Sequence, residues 1–172
     1  MVYWLHHFFR FTMTTETTPT PAPFFGVQRI FAKGISLEIP AGPKLFLTGA
    51  APSLNMAIQV RNDQLADGVY DVTLRATLTG SLEEKTAYLV EVEQTGVFDI
   101  RNVDAQGLAD MLEIGAPSIL SPYLRAQLAD VLTRATLPTF FLPEINWHAM
   151  AAENRAKTLG AKADAQFEEV TA

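Results

Sequence analysis

The chain has 172 residues, of which 48% are hydrophobic and 19% are charged, a balance typical of a single soluble globular domain. Its formal net charge of -6 argues against a nucleic-acid-binding protein, because neutralising phosphates requires a basic surface. The absence of cysteine excludes disulfides and thiolate metal sites and fits a reducing compartment. No apolar run approaches the roughly 20 residues that span a bilayer.

Residues 1–24 are predicted to lie outside the folded domain. In residues 1–11 the basic Arg10 follows the apolar stretch, whereas a signal peptide would place it before. The next segment is rich in threonine and proline and has no periodicity, which is typical of a flexible leader. We interpret residues 1–24 as a flexible leader or an over-extended start, with a membrane-contacting segment as the alternative.

Four segments alternate between polar and apolar residues with the period of two that predicts β-strands. They span residues 27–38, 54–61, 69–79 and 85–98. The first is mixed in character, which predicts an edge strand. Only a short turn separates the last two, which predicts an antiparallel hairpin.

The fourth segment divides into two unlike sides. Thr86, Tyr88, Val90, Val92 and Gln94 share one side, which is expected to be buried. The other side holds Lys85, Ala87, Leu89, Glu91 and Glu93 and is expected to be exposed. An apolar leucine within an acidic exposed surface indicates a candidate docking patch.

Helices are predicted to cover one face of this sheet. A short helix over residues 104–114 is expected to end at Gly115 and Pro117. A second is expected to begin at Ser121 and Pro122, because serine caps free amides and proline tolerates the first helical position.

The second helix is predicted to end before Pro138, and Asn146 can cap a last helix that ends near residue 158. The folded domain is therefore expected over residues 25–158. Residues 159–172 are expected to form a disordered acidic tail.

The sequence offers no reactive constellation. It has no phosphate-binding loop, no nucleophile elbow and no cysteine. His148 with Glu144 or Glu153 does not match a zinc motif, and Glu91 with Glu93 on an exposed strand lacks a pocket that would shift a pKa usefully. We therefore expect no enzyme activity, no catalytic residue, no metal and no cofactor. A small hydrolase or isomerase using carboxylates is the alternative.

Short segments dispersed over residues 25–158 resemble the SecB family of bacterial protein-export chaperones. The matching words, in chain order, are VQRIFAK, ISLE, QLAD, VY, LRAT, TAYLVEV, GVF, PSIL, PY, LP and IN. The resemblance implies an α+β fold: a four-stranded antiparallel sheet with one face covered by two principal helices, assembled as a homotetramer (a dimer of dimers).

The resemblance also implies a function. The family is cytoplasmic and ATP-independent, holds unfolded precursor proteins in apolar grooves, and delivers them to SecA, the motor of the Sec translocase. Direct membrane insertion is not expected. Two alternatives stay open: a SecB-like chaperone that serves a toxin–antitoxin system, and an interaction domain without chaperone activity.

Three sets of residues follow from the resemblance. The SecA-binding set is Glu38, Leu89 and Glu91, and one further acidic position of the family is occupied here by Gly34. The substrate-groove set is Phe46, Leu54, Met56, Ile58, Trp147 and Met150. The oligomer-interface set is Val90, Val92, Gln94, Tyr123, Leu124 and Leu128. Core packing is the alternative for Leu54, Met56 and Ile58, and the helix over residues 122–135 is core, interface or both.

Overall fold

The computed structural model describes residues 21–47 and 49–170. The predictions for the leader up to residue 20 lie outside the described residues. The strands are β1 (Phe24–Glu38), β2 (Ser53–Ala66), β3 (Val69–Leu82) and β4 (Lys85–Arg101). The helices are α1 (Ala105–Asp110), α2 (Ala116–Arg134) and α3 (Trp147–Val170), with a 3-10 segment at Gly42–Leu47 and a π-helical turn at Met111–Gly115.

The four strands form one antiparallel sheet in the order β1-β4-β3-β2. The predicted α+β class and the edge position of β1 are confirmed. β2 and β3 are joined by a two-residue turn in which Gly68 has φ +69°, a conformation that glycine adopts without steric cost. β2 and β3 form one hairpin and β3 and β4 form the next, whereas β1 and β2 lie at opposite edges of the sheet.

The β3–β4 hairpin is confirmed, but it contains a bulge that the period-two pattern does not reveal. Gly80 pairs with Tyr88 whereas Ser81 pairs with Thr86, so Ala87 is an extra residue. The bulge moves Thr86 to the face opposite Tyr88, where it is exposed, and leaves Ala87 buried. The prediction that Thr86 shares the buried side of β4 is therefore wrong, because one inserted residue inverts the alternation.

One face of the sheet, here called the covered face, is packed beneath α2. Alternate residues of β3 and β4 on this face are fully buried, including Leu74 and Val92. α2 contributes Leu124 and Leu128 to the same core, and both are fully buried. At Gly96 a β-carbon would lie 2.9 Å from Leu120 of α2, so glycine lets this helix approach the strand closely.

The helix boundaries differ from the predicted ones. Gly115 and Pro117 do not stop the first helix, because the chain continues through the π-helical turn into α2, which tolerates Pro117 in its first turn. Pro122 lies inside α2 and does not begin it. Its missing N–H leaves the carbonyl of Ser118 unpaired within the helix, and Ser118 is exposed, so water can satisfy that group.

The last helix begins at Trp147 as predicted, and the side chain of Asn146 accepts a hydrogen bond from the amide of Ala149. It extends to Val170, beyond the predicted end near residue 158. The physical reason is the absence of a strong helix breaker. Gly160 costs only about 1 kcal/mol relative to alanine, and residues 161–169 are mostly good helix formers.

Candidate functional site

The second face of the sheet, here called the open face, carries the predicted SecA-binding residues. Glu38 of β1 is paired directly with Leu89 of β4, and Glu91 follows two residues along the same strand. Directly paired antiparallel residues project their side chains to the same face, about 5 Å apart. The structure therefore brings Glu38, Leu89 and Glu91 together on one face of the sheet, with Leu89 and Glu91 half-buried.

Glu91 is not a free carboxylate on this surface. Arg75 of β3 donates a 2.7 Å hydrogen bond to Oε1 of Glu91, and the hydroxyl of Thr77 donates a second bond at 3.2 Å. The hydrogen bond from Arg75 holds the pKa of Glu91 below its usual value, and Glu91 in turn raises the pKa of Arg75. Glu93 lies 3.9 Å from the same guanidinium. Arg75 therefore fixes the orientation of the acidic side chains.

Arg75 and Glu93 were missed as site residues by the sequence analysis. The available signal was the alternation of β3, which places Arg75 on the outward side of a strand adjacent to β4. If the pairing of Ser81 with Thr86 continued without a bulge, Arg75 would be paired with Val92 and would not lie beside Glu91 and Glu93. Only the observed register places Arg75 opposite Glu93 and beside Glu91.

A carboxylate lies beside the position at which the family resemblance expects a further acidic residue. Gly34 of β1 is paired with Glu93, and a β-carbon at Gly34 would lie 3.5 Å from Oε2 of Glu93. Glu93 thus reaches towards the space that a side chain at position 34 would occupy.

The predicted groove residues do not form one enclosed pocket. Leu54, Met56 and Ile58 are paired with Gly80, Leu78 and Ala76 and so extend the covered face onto edge strand β2. Leu54 is 45% exposed, whereas Met56 and Ile58 are half-buried and pack against the core.

The other three groove residues are distributed between the surface and the core. Phe46 is 51% exposed and lines a cleft of about 310 Å³ together with Ala50 and Leu137. Trp147 is buried in the core cluster, and Met150 packs against it. Trp147 is therefore part of the core within the single chain, whereas Phe46 and Leu54 are accessible at its surface.

Five of the six predicted interface residues are already buried within the single chain. Val90, Val92, Leu124 and Leu128 are fully buried, and Gln94 is nearly so, beneath or within α2. Tyr123 is 50% exposed on the outer side of α2. Tyr123 is thus the member of this set that is exposed on the single chain, and the other five are packed inside it.

β1 exposes apolar side chains that the sequence analysis did not assign. Val27 and Ile35 are paired with Phe98 and Val92, so they belong to the covered face, yet each is nearly half exposed. The contacts of α2 with the sheet are chiefly with β3 and β4, and other residues of β1, such as Ile30 and Leu37, are partly buried against the core. The mixed alternation of β1 does not by itself predict that Val27 and Ile35 are exposed.

No group of metal-ligating side chains is found among residues 21–47 and 49–170, where His148 lies exposed on α3. No helix in the described part of the chain is long and apolar enough to cross a membrane.

Comparison with known proteins links this architecture to protein export. The family described as preprotein translocase subunit SecB matches residues 18–158. Proteins named protein-export protein SecB from Cupriavidus pinatubonensis and Burkholderia mallei are 45% and 42% identical over 135 residues, which cover 78% of this chain and 78% and 85% of those proteins.

A solved structure shares the fold. It is a SecB-like chaperone of Mycobacterium tuberculosis in complex with a peptide from an antitoxin, with a TM-score of 0.56 and 15% identity over 71% of this chain and 88% of that one.

Proposed function

Because this chain belongs to the SecB protein-export chaperone family, we propose that it is an ATP-independent holdase of the cytoplasm. It binds unfolded precursor proteins through apolar grooves and delivers them to SecA. Affinity for such clients is spread over many weak contacts, so no single pocket has to be large.

The observation that carries this proposal is the amount of accessible apolar surface. Large hydrophobic side chains are 40% or more exposed on β1, on β2 and around the 3-10 segment, namely Phe24, Val27, Phe31, Ile35, Phe46, Leu47, Leu54 and Leu65. Exposed apolar groups that adjoin one another along an edge mark interaction sites with proteins or membranes, and here they occur at both edges of the sheet. Clients and further copies of the chain are the occupants that fit this surface.

Assembly into a homotetramer, as a dimer of dimers, is part of the proposal. β1 is a 15-residue edge strand whose outer backbone groups have no partner strand among the described residues, and Val27 and Ile35 beside it are exposed. Such an edge favours association with another copy. Tyr123 offers a second exposed contact on α2.

SecA docks, in this proposal, on the open face at Glu38, Leu89 and Glu91. The patch combines a half-buried leucine with carboxylates, so it suits a partner that presents apolar and basic groups. Glu93 adds a carboxylate where Gly34 provides none. The exposed apolar residues of β1 lie on both faces: Val27 and Ile35 belong to the covered face, whereas Phe31, paired with Thr95, belongs to the open face.

The experiment for the holdase function is light scattering of a refolding precursor protein with a stoichiometric amount of this chain. We expect aggregation to be suppressed without ATP. Undiminished aggregation would falsify the holdase proposal and favour an interaction domain without chaperone activity. Native mass measurement at micromolar concentration tests the assembly, and finding only monomer would contradict the tetramer.

The alternative client is an antitoxin, as in the complex of the Mycobacterium tuberculosis chaperone. That likeness rests on 15% identity and concerns the fold, whereas the relatives above 40% identity carry the protein-export name. Co-purification with SecA separates the two possibilities. Failure to bind SecA, together with retained holdase activity, would contradict delivery to the translocase.

A further inference from the structure

Helix α3 borders β2, where Lys157 and Ile58 line a common cleft, and it contacts the rest of the chain through two further sets of residues with different chemistry. At its start, Trp147 and Ala151 are buried, and Met150 packs against the core. From residue 152 to residue 158, Arg155 is the one residue that is not exposed. The first attachment is therefore apolar, and the second depends on a single charged side chain.

Arg155 joins α3 to the turn between α1 and α2. Its Nη2 lies 2.8 Å from Oδ1 of Asp110, the last residue of α1, and its Nε donates to the carboxylate of Glu113 in the π-helical turn. The hydrogen bond from Arg155 keeps the pKa of Asp110 below its usual value. Gln106 donates a further bond of 2.9 Å to the same Asp110 oxygen. One guanidinium thus bridges two helical segments.

A cleft of about 590 Å³ lies between α3 and this turn, a size within the range of about 300–1,000 Å³ that holds small ligands. Its apolar lining comes from Phe25, Met111 and Ile114 on one side and from Ala151 and Ala152 on α3. Within the lining, the charge of Arg155 balances that of Asp110, whereas Glu113 is not a lining residue, and His148 is the remaining ionisable group there. An apolar group is therefore the ligand class that the cleft suits.

We propose that Arg155 is a positioning residue that sets the width of this cleft, and that the cleft receives a bulky apolar side chain of an unfolded client. The inference rests on the proposed holdase function. Ion pairs whose members are a third to a half exposed are weak and sensitive to salt, so this attachment opens more readily than the one at Trp147. The side of the cleft that Phe25 forms does not depend on α3, because the ring of Phe25 is stacked on that of Phe98 of β4, with 5.5 Å between the ring centroids.

Access to the cleft, which increases with its width, can be followed by the alkylation rate of a single thiol placed in the lining. The chain has no cysteine, so Met111→Cys places one unique, half-buried thiol in the cleft lining. We expect Arg155→Met to raise its rate of alkylation by iodoacetamide about fivefold, the upper range for a partly exposed ion pair. Arg155→Lys keeps the charge without the forked geometry and is expected to give an intermediate rate.

The matched control is Arg134→Met, which removes an arginine from an exposed ion pair with Asp130 within α2. It is expected to leave the alkylation rate unchanged. Sodium chloride at about 1 M should raise the alkylation rate of the protein that retains Arg155 and not that of Arg155→Met, because salt screens the ion pairs that Arg155 makes. Equal rates for Arg155, Arg155→Met and Arg134→Met at low salt, or no response of the Arg155 protein to salt, would overturn the positioning role.

A second measurement tests the occupant. Reduced and alkylated α-lactalbumin, a permanently unfolded protein, should slow alkylation of the thiol introduced by Met111→Cys. If that client binds by native mass measurement and the rate does not fall, the cleft is not a client site although the holdase function stands. If no client binds, the holdase function and the assignment of the occupant both fail, whereas the salt response still decides the role of Arg155.

Discussion

The two faces of the sheet place neighbouring residues of the same strand in different surroundings. On the covered face, Val90 and Val92 are fully buried beneath α2. On the open face, Leu89 and Glu91 are half-buried, and Arg75 fixes the carboxylate of Glu91. Substitutions on the first face should therefore act on folding, and those on the second on partner binding. If SecA docks on the open face as proposed, alternate positions of β4 separate stability from recognition.

The largest effect is expected on the covered face. Leu128→Ala removes a fully buried side chain from the contact between α2 and the sheet, and the resulting cavity should lower the free energy of unfolding by about 3 kcal/mol. Urea denaturation followed by circular dichroism measures this change. Ala126→Ser, at an exposed position of the same helix, should change it by less than about 0.5 kcal/mol. A similar small change for Leu128→Ala would contradict its role in the core.

The next effect is expected on the open face and concerns binding. Leu89→Gln should lower the affinity for SecA about tenfold and leave client binding and stability nearly unchanged, because it removes an apolar contact from a partly exposed position. Titration calorimetry with SecA gives the affinity. Val97→Gln makes a comparable change further along the same face of β4 and should have little effect. Equal losses of SecA and client binding would mean that the patch is misassigned.

Glu93 should contribute less than Leu89. Glu93→Gln removes the carboxylate beside Gly34 and should lower SecA affinity about threefold, chiefly through slower association, as expected of a peripheral charge. Surface plasmon resonance at low ionic strength resolves the rate. Glu84→Gln makes the same charge change in the exposed β3–β4 turn. If both variants behave alike, net charge rather than position is responsible.

The smallest effect is expected in acid. The pKa of Glu91 is lowered by Arg75, so its ionised form stabilises the fold above the usual value of 4.5, and this contribution is lost as the pH falls through the lowered pKa. Arg75→Gln should return the pKa of Glu91 towards its usual value and remove that part of the acid dependence. Carboxyl-carbon NMR measures the titration. An unchanged pKa would show that Arg75 does not hold Glu91 in solution.

Much of the fold follows from local pattern. Alternation identifies all four strands, because a sheet with one buried face requires apolar residues at every second position. The helix starts were less predictable. Pro122 has the features of a first-turn proline but lies inside α2, because Ser118, whose carbonyl loses its helical partner, is an exposed residue that water can reach, and the buried leucines of α2 hold the helix in place. Tertiary packing overrides a local signal there.

The sequence by itself determines that Leu89 and Glu91 share one face of β4 and that Val90 and Val92 share the other. It also contains the short segments that resemble the SecB family. The tertiary structure decides which residues of the other strands lie next to Leu89 and Glu91. Strand order places Glu38 next to Leu89, and the bulge at Ala87 brings Arg75 opposite Glu93 and beside Glu91. The physical reason is that alternation is set within a strand, whereas register and neighbours are set by long-range packing and by single inserted residues.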